Sequence, residues 1–324
     1  VENEDLSAKS AVTITNNNSI ILSGNNSMGI YTNYGIINNS SGKIIKLTGD
    51  NSVGLYATNG TSVQNSGDIY INGAGIYATS YKADGVSQTF GDGKTSIVNS
   101  GTVTSGSKAN SVGIYSRNNS GGTVSSNDFS LDLSSGEINM TGSSGGTAVY
   151  AEKTKVTDSG STISVGEKGI ALYAKDSDVT LNGSVINLLG DNAIGFYLEG
   201  ATAFNGTGTI NIDGKNIILM IPGASTTVSN NFTVGTVTSG STYTLNAMVD
   251  SIYTYTGTAA LESNGTLING VRTAAYIGNP GGVYANPGAE NIGAIVLNGQ
   301  YTAGGALPAG MNAGLDGENA GTVI

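Results

Sequence analysis

The 324 residues could make two ordinary domains or one long repeat array. With 50 glycines but only 4 prolines, the chain is neither collagen nor a proline-rich linker. A net charge of −10, from 13 basic and 23 acidic residues, argues against nucleic acid or anionic lipid as a charge-driven partner.

In chain order, a small-residue, apolar, tyrosine cadence returns seven times in the first two-thirds. Its copies are Met28-Gly29-Ile30-Tyr31, Val53-Gly54-Leu55-Tyr56, Ala74-Gly75-Ile76-Tyr77, Val112-Gly113-Ile114-Tyr115, Thr147-Ala148-Val149-Tyr150, Ile170-Ala171-Leu172-Tyr173 and Ile194-Gly195-Phe196-Tyr197. The tyrosines are 25, 21, 38, 35, 23 and 24 residues apart. A period in the twenties is the signature of a solenoid, whose repeats cannot bury their own apolar faces alone.

Each period holds three strand phrases separated by three corners. Turn triplets such as Asn65-Ser66-Gly67, Asn99-Ser100-Gly101 and the variant Asp158-Ser159-Gly160 precede alternating strands such as Lys43-Ile44-Ile45-Lys46-Leu47. A second corner, as in Gly49-Asp50-Asn51-Ser52 or Gly190-Asp191-Asn192-Ala193, leads into the tyrosine strand. A third leads into strands such as Ser62-Val63-Gln64. The expectation is an all-β parallel β-helix with three-strand coils of roughly 21–25 residues.

Period-two alternation places the first, third and fifth residues of the tyrosine strand inside. Tyr31, Tyr56, Tyr77, Tyr115, Tyr150, Tyr173 and Tyr197 are then expected outside as a ladder up one face, with the small second residue leaving room for the rings. Buried tyrosines would need hydroxyl partners in every coil. Corner asparagines are expected to stack on one another in hydrogen-bonded ladders.

Two periods are long. The extra residues lie near 80–95 and 117–135, and insertions in a solenoid map to loops suited to binding. Tyr81, Lys82, Phe90, Arg117 and Phe129 are the candidate ligand-binding residues there. Residues 1–200 thus read as regular coils with two insertions. Residues 201–324 read as continuing, less regular β-helix, with strands at Ile217-Ile218-Leu219-Met220-Ile221 and Tyr243-Thr244-Leu245-Asn246-Ala247-Met248. The cadence returns at Ala275-Tyr276-Ile277-Gly278 and Asn291-Ile292-Gly293-Ala294-Ile295-Val296-Leu297. The chain starts at Val1 and ends in a repeat-like phrase, so it is expected to be a piece of a longer protein.

Histidine and cysteine are both zero. That removes the usual general base, the thiolate nucleophile and the commonest metal ligands. No catalytic, metal or cofactor site is expected. The nearest acid pairs for a polysaccharide-degrading β-helix enzyme are Asp128 with Asp132 and Asp176 with Asp178, the latter beside Lys175. The glycine-rich nonapeptide of calcium-binding β-rolls does not occur.

Gly-Asp-Asn-Ser-Val-Gly-Leu-Tyr-Ala (49–57), Asn-Ser-Gly-Asp-Ile (65–69) and Ala-Asn-Ser-Val-Gly-Ile-Tyr (109–115) resemble the passenger repeats of large type Va outer-membrane autotransporter adhesins, of the fusobacterial type. Residues 15–200 carry the resemblance best. It implies a right-handed parallel β-helix and a passenger held at the bacterial surface by a C-terminal outer-membrane barrel outside this chain, or released from it. It further implies attachment to host cells or coaggregation with partner bacteria, through a host cell-surface protein or a glycan. The segment is expected to be a monomer, non-catalytic and not itself inserted in a membrane. A purely structural stalk is the alternative; a trimeric surface adhesin, whose head repeats are shorter, is a further one.

Overall fold

The structure is a computed structural model and describes residues 12–80, 82–83, 86–87, 94–119, 129–220, 226–246, 261–263 and 266–268. It is all-β: a right-handed parallel β-helix of about eight turns, with no helix among the described residues. Three stacks of parallel strands form its faces, joined into one 22-stranded sheet.

The first face begins with Val12–Asn16, Gly35–Asn39, Ser62–Asn65 and Thr95–Asn99, continues through Phe129–Asp132 and Lys155–Ser159, and is paired in register throughout. The second includes Ile20–Leu22, Thr102–Ser105, Glu137–Met140 and Thr162–Val165. The third, the tyrosine face, includes Met28–Thr32, Val112–Arg117, Thr147–Glu152, Ile170–Lys175 and Ile194–Glu199. Where a corner stays extended, two faces share one long strand, as in Ile44–Thr58, Asp68–Thr79 and Asp178–Leu189.

In-register stacking turns each inward position into a column along the axis. Ile37, Val63, Ile97, Leu131, Val156 and Val179 form one on the first face, all 0–2% exposed. Opposite lie Ile45, Ile69, Val103, Ile138 and Ile163 from the second face. Leu55, Ile76, Ile114, Val149, Leu172 and Phe196 complete the core from the third. Such β-branched columns suit parallel strands whose inner faces never see water. Toward the C-terminal coils the core widens around Phe196, whose ring lies 4.7 Å from Phe204 and 5.0 Å from Phe232.

The corners hold polar ladders inside the wall. Asn16 Nδ2 donates to Asn39 Oδ1, Asn39 to Asn65 and Asn65 to Asn99, each at 2.8 Å, as the turn triplets predict. These side chains are 0–6% exposed, so each amide replaces solvent with its neighbour. At the second corner, Asn26, Asn51, Asn110 and Asn192 have φ of 56–62°. Asn is among the few residues that tolerate this left-handed region without a glycine. At the third corner, buried hydroxyls of Thr61, Thr154, Ser177 and Thr202 take over, with Thr61 and Thr202 donating to the carbonyls of Thr58 and Glu199 at 2.6 Å.

One expectation is overturned. The first residue of the tyrosine strand is half-exposed and the second is buried, because pairing skips the second position in every coil. A Cβ on Gly54 would come within 2.8 Å of Ile69 Cγ2, and one on Gly113 within 2.7 Å of Ile138 Cγ2. The small residue therefore makes room for the isoleucine of the second face inside the barrel, not for a ring outside.

Coils continue past Tyr197 through Ala203–Asp213, Lys215–Met220, Thr227–Val237 and Thr242–Asn246, with register shifts near Ile210 and Ile217. The strand phrases at 275–278 and 291–297 lie outside the described residues.

Candidate functional site

The seven tyrosines point outward, as expected, and stand in direct register from coil to coil. Their ring centroids are 5.3, 5.1, 4.4, 4.6, 4.7 and 5.2 Å apart in chain order. These spacings match the ~4.8 Å separation of neighbouring strands, so the backbone sets the stack. Tyr77 and Tyr115 are the flattest pair, with 2° between their planes. Tyr31, the first ring, is 47% exposed, whereas the inner rings are half-buried. The stack ends where Met220 takes the next position after Tyr197.

Inside the ladder the ring faces are occupied by neighbouring rings. What remains for a partner is their edges and hydroxyls. Burial raises the hydroxyl pKa of Tyr56, Tyr77 and Tyr197. Tyr150 and Tyr173 are raised further, because on top of burial each donates to a carboxylate: Tyr150 to Glu152 Oε2 at 2.9 Å and Tyr173 to Glu199 Oε2 at 2.6 Å.

Two residues beyond each of the last four tyrosines, a second outward column runs beside the first. Arg117, Glu152, Lys175 and Glu199 are register partners in successive coils. Arg117 Nε lies 3.1 Å from Glu152 Oε2, and Lys175 Nζ lies 2.8 Å from Glu199 Oε1. The Lys175 and Tyr173 hydrogen bonds hold the Glu199 carboxyl below its ordinary pKa. Of this column only Arg117 was among the expected site residues; Glu152, Lys175 and Glu199 were not. Its signal was present in Tyr115-Ser116-Arg117, Tyr150-Ala151-Glu152, Tyr173-Ala174-Lys175 and Tyr197-Leu198-Glu199, two residues after each ring on the same strand face.

The two insertions share one place. The chain leaves the third corner at Ser80 and again one coil later at Asn119, and it rejoins the first face at Thr95 and Phe129, which are register partners. The exits are bonded together: Ser80 Oγ donates to Asn118 Oδ1 at 2.9 Å, and Asn119 Nδ2 to Thr79 Oγ1 at 2.7 Å. In the first insertion Lys82–Ala83 pairs antiparallel with Val86–Ser87. On the same two coils, across the tyrosine face, a cleft of about 290 Å³ lies against the edges of Tyr77 and Tyr115, floored by Gly73 and Ala74 and walled by Lys108 to Val112. Lys108 at its rim is paired with Asp50 at 3.0 Å.

Of the expected ligand-binding residues, Tyr81 and Phe90 lie outside the described residues, and Lys82 is placed by its backbone only. Arg117 ends the strand that leads into the second insertion, exposed but paired with Glu152. Phe129 must be corrected: it is 2% exposed and fills the core, because it is the first inward residue after the chain rejoins the first face. Among the acid pairs, Asp128 lies outside the described residues. Asp132 Oδ1 accepts the Ser134 amide at 3.0 Å, and Asp176 Oδ1 accepts the Ala201 amide at 2.9 Å. Asp132 thus closes its own turn, and Asp176 ties its corner to that of the next coil.

The fold is that of a parallel β-helical domain. Over residues 2–124 the chain is similar to the BigA third pectate lyase-like domain, whose family model matches there. The coils from Phe129 to Asn246 lie beyond that match and continue the same sheet, with register shifts after Leu181, Ile210 and Ile217. No curated protein and no solved structure matches the chain.

Proposed function

We propose that this chain is the surface-displayed adhesive segment of a longer bacterial passenger, non-catalytic, which attaches to a host cell-surface protein or glycan or to a partner bacterium. The observation that carries the proposal is the convergence of both insertions on one corner of two neighbouring coils, with their exits bonded together. Chance would scatter insertions over three corners and many coils. Both instead leave a rigid rod at adjacent rungs of one corner, the arrangement expected of a binding edge. The cleft beside Tyr77 and Tyr115 adjoins the same coils. A parent anchored by an outer-membrane barrel accounts for surface display.

The test replaces residues 81–94 and 119–128, separately and together, by the short corner that other coils use between Thr58 and Thr61. Purified fragments are then measured for saturable binding to fluorescent host cells, partner bacteria and a glycan array, with circular dichroism confirming β-structure. Loss of binding on deleting either insertion supports the adhesive reading. Binding that survives both deletions sinks it.

The second reading, a structural stalk, is favoured by one observation. Inside the tyrosine ladder the ring faces are spent on one another, and the charges beside them are paired within the chain. A folded wild-type fragment that binds nothing would favour it. An enzyme is the weakest reading, since Asp132 and Asp176 are engaged with backbone amides; turnover of polygalacturonate or chondroitin would restore it.

A further inference from the structure

The charge column, paired within the chain between successive rungs, also has a symmetry along the axis. Along the axis it reads Arg117, Glu152, Lys175, Glu199, so it alternates in sign and changes sign when reversed. We infer that this tyrosine-and-charge face is a pairing surface for a second copy of the chain, antiparallel to the first. A two-fold axis lying in the face and running along the strands keeps each column opposite itself and inverts its order. With that axis between the Glu152 and Lys175 rungs, Arg117 meets Glu199 of the second copy and Glu152 meets Lys175 of the second copy. Each pair occurs twice, and every charge meets its opposite. The tyrosine columns then meet edge to edge, Tyr150 against Tyr173 and Tyr115 against Tyr197 of the second copy, with Tyr77 facing Met220.

The energetics fit a weak, reversible contact. The charges are partly solvent-exposed, with side chains 44, 13, 37 and 31% accessible in chain order, so salt screens them. The half-buried ring edges carry the apolar area and a row of hydroxyls, a combination common at protein interfaces. A parallel partner, or one shifted by one coil, sets like charges opposite each other, so the alternation also selects register. The β-helix remains the folding unit, and pairing occurs between folded units at high local density, as on a crowded cell surface.

Sedimentation velocity over a wide concentration range is the test. The wild-type fragment is expected to move from monomer toward twice the monomer mass as concentration rises, and back as salt rises. Glu152→Lys with Glu199→Lys makes the column wholly basic, and Arg117→Glu with Lys175→Glu makes it wholly acidic. Each double variant alone stays monomeric, and their equimolar mixture pairs again. If those variants fold poorly, the absence of native cysteine offers an independent route. Tyr150→Cys mixed with Tyr173→Cys forms a disulfide-linked dimer under mild oxidation, whereas Tyr56→Cys mixed with Tyr173→Cys does not. A wild-type fragment that is monomeric at every concentration overturns the inference. So does association that ignores salt and both column inversions, or cysteine trapping with no preference for the symmetric pair.

Discussion

Replacing Asn65 by Leu tests whether the buried amide ladder holds neighbouring coils together. Asn65 is fully buried, accepts from Asn39 and donates to Asn99, both at 2.8 Å. Leucine at this column is sterically precedented. Leu133 follows Asn99 on the next coil and is equally buried. The loss is therefore of hydrogen bonds rather than of fit. Asn65→Leu strands the Asn39 amide donor and the Asn99 amide oxygen. At ~1–3 kcal/mol for each buried group left unpaired, the gross cost is roughly 2–6 kcal/mol. Asn99 stands at the ladder's end, where its own amide donates only to the Gly101 carbonyl at 3.3 Å. Asn99→Leu strands just the Asn65 donor, at ~1–3 kcal/mol. The apolar gain of leucine is common to both variants and cancels in the comparison. The expected result is that Asn65→Leu is the less stable by ~1–3 kcal/mol in urea unfolding followed by circular dichroism. Hydrogen exchange should show the extra opening confined to the coils around residues 39–99, since a solenoid's stability is a sum over neighbouring coils. Equal midpoints, or the reverse order, would refute the idea that the ladder's internal bonds stabilise the stack.

Three further outcomes follow from the same geometry. Gly113→Ala sets a methyl 2.5 Å from the Ala148 carbonyl oxygen and 2.7 Å from Ile138 Cγ2, so it should lower stability by ~1–3 kcal/mol, whereas Gly42→Ala, with nothing within 4 Å but φ of +68°, should cost only the backbone strain of about 1 kcal/mol; calorimetry of the pair checks the order. Tyr150 and Tyr173 have folded pKa values raised above the unfolded ~10, so the stability they add is complete below pH ~10 and is lost as pH rises beyond it; alkaline unfolding should coincide with tyrosinate absorbance, and Tyr150→Phe with Tyr173→Phe should move it upward. Glu199 is shifted the other way, so its contribution is present above the ordinary glutamate pKa and fades as pH falls through its lowered folded value; Glu199→Gln should flatten the acid limb of the stability profile.

Much of this molecule was legible in one dimension. A period in the twenties, alternating short runs and glycine or asparagine at each corner specify three-strand coils, because only stacking lets such repeats bury their apolar faces. The outward tyrosines and the asparagine ladder follow from the same logic, since both residue types recur one period apart. The role of Gly54 and Gly113 was not legible. Pairing skips that position, so strict alternation assigned it the wrong face, and the Ile69 and Ile138 side chains that need the space come from another face of the barrel. Phe129 looked like an insertion residue because the point at which the chain rejoins the wall is set by pairing with Thr95, 34 residues away. The bonds between the exits of the two insertions and the ion pairs of the charge column likewise arise only when residues one coil apart in sequence become neighbours about 4.8 Å apart in space. Local pattern thus determined the coil. Which side chains meet between coils, and therefore every surface available to a partner, was decided by the register of the stack.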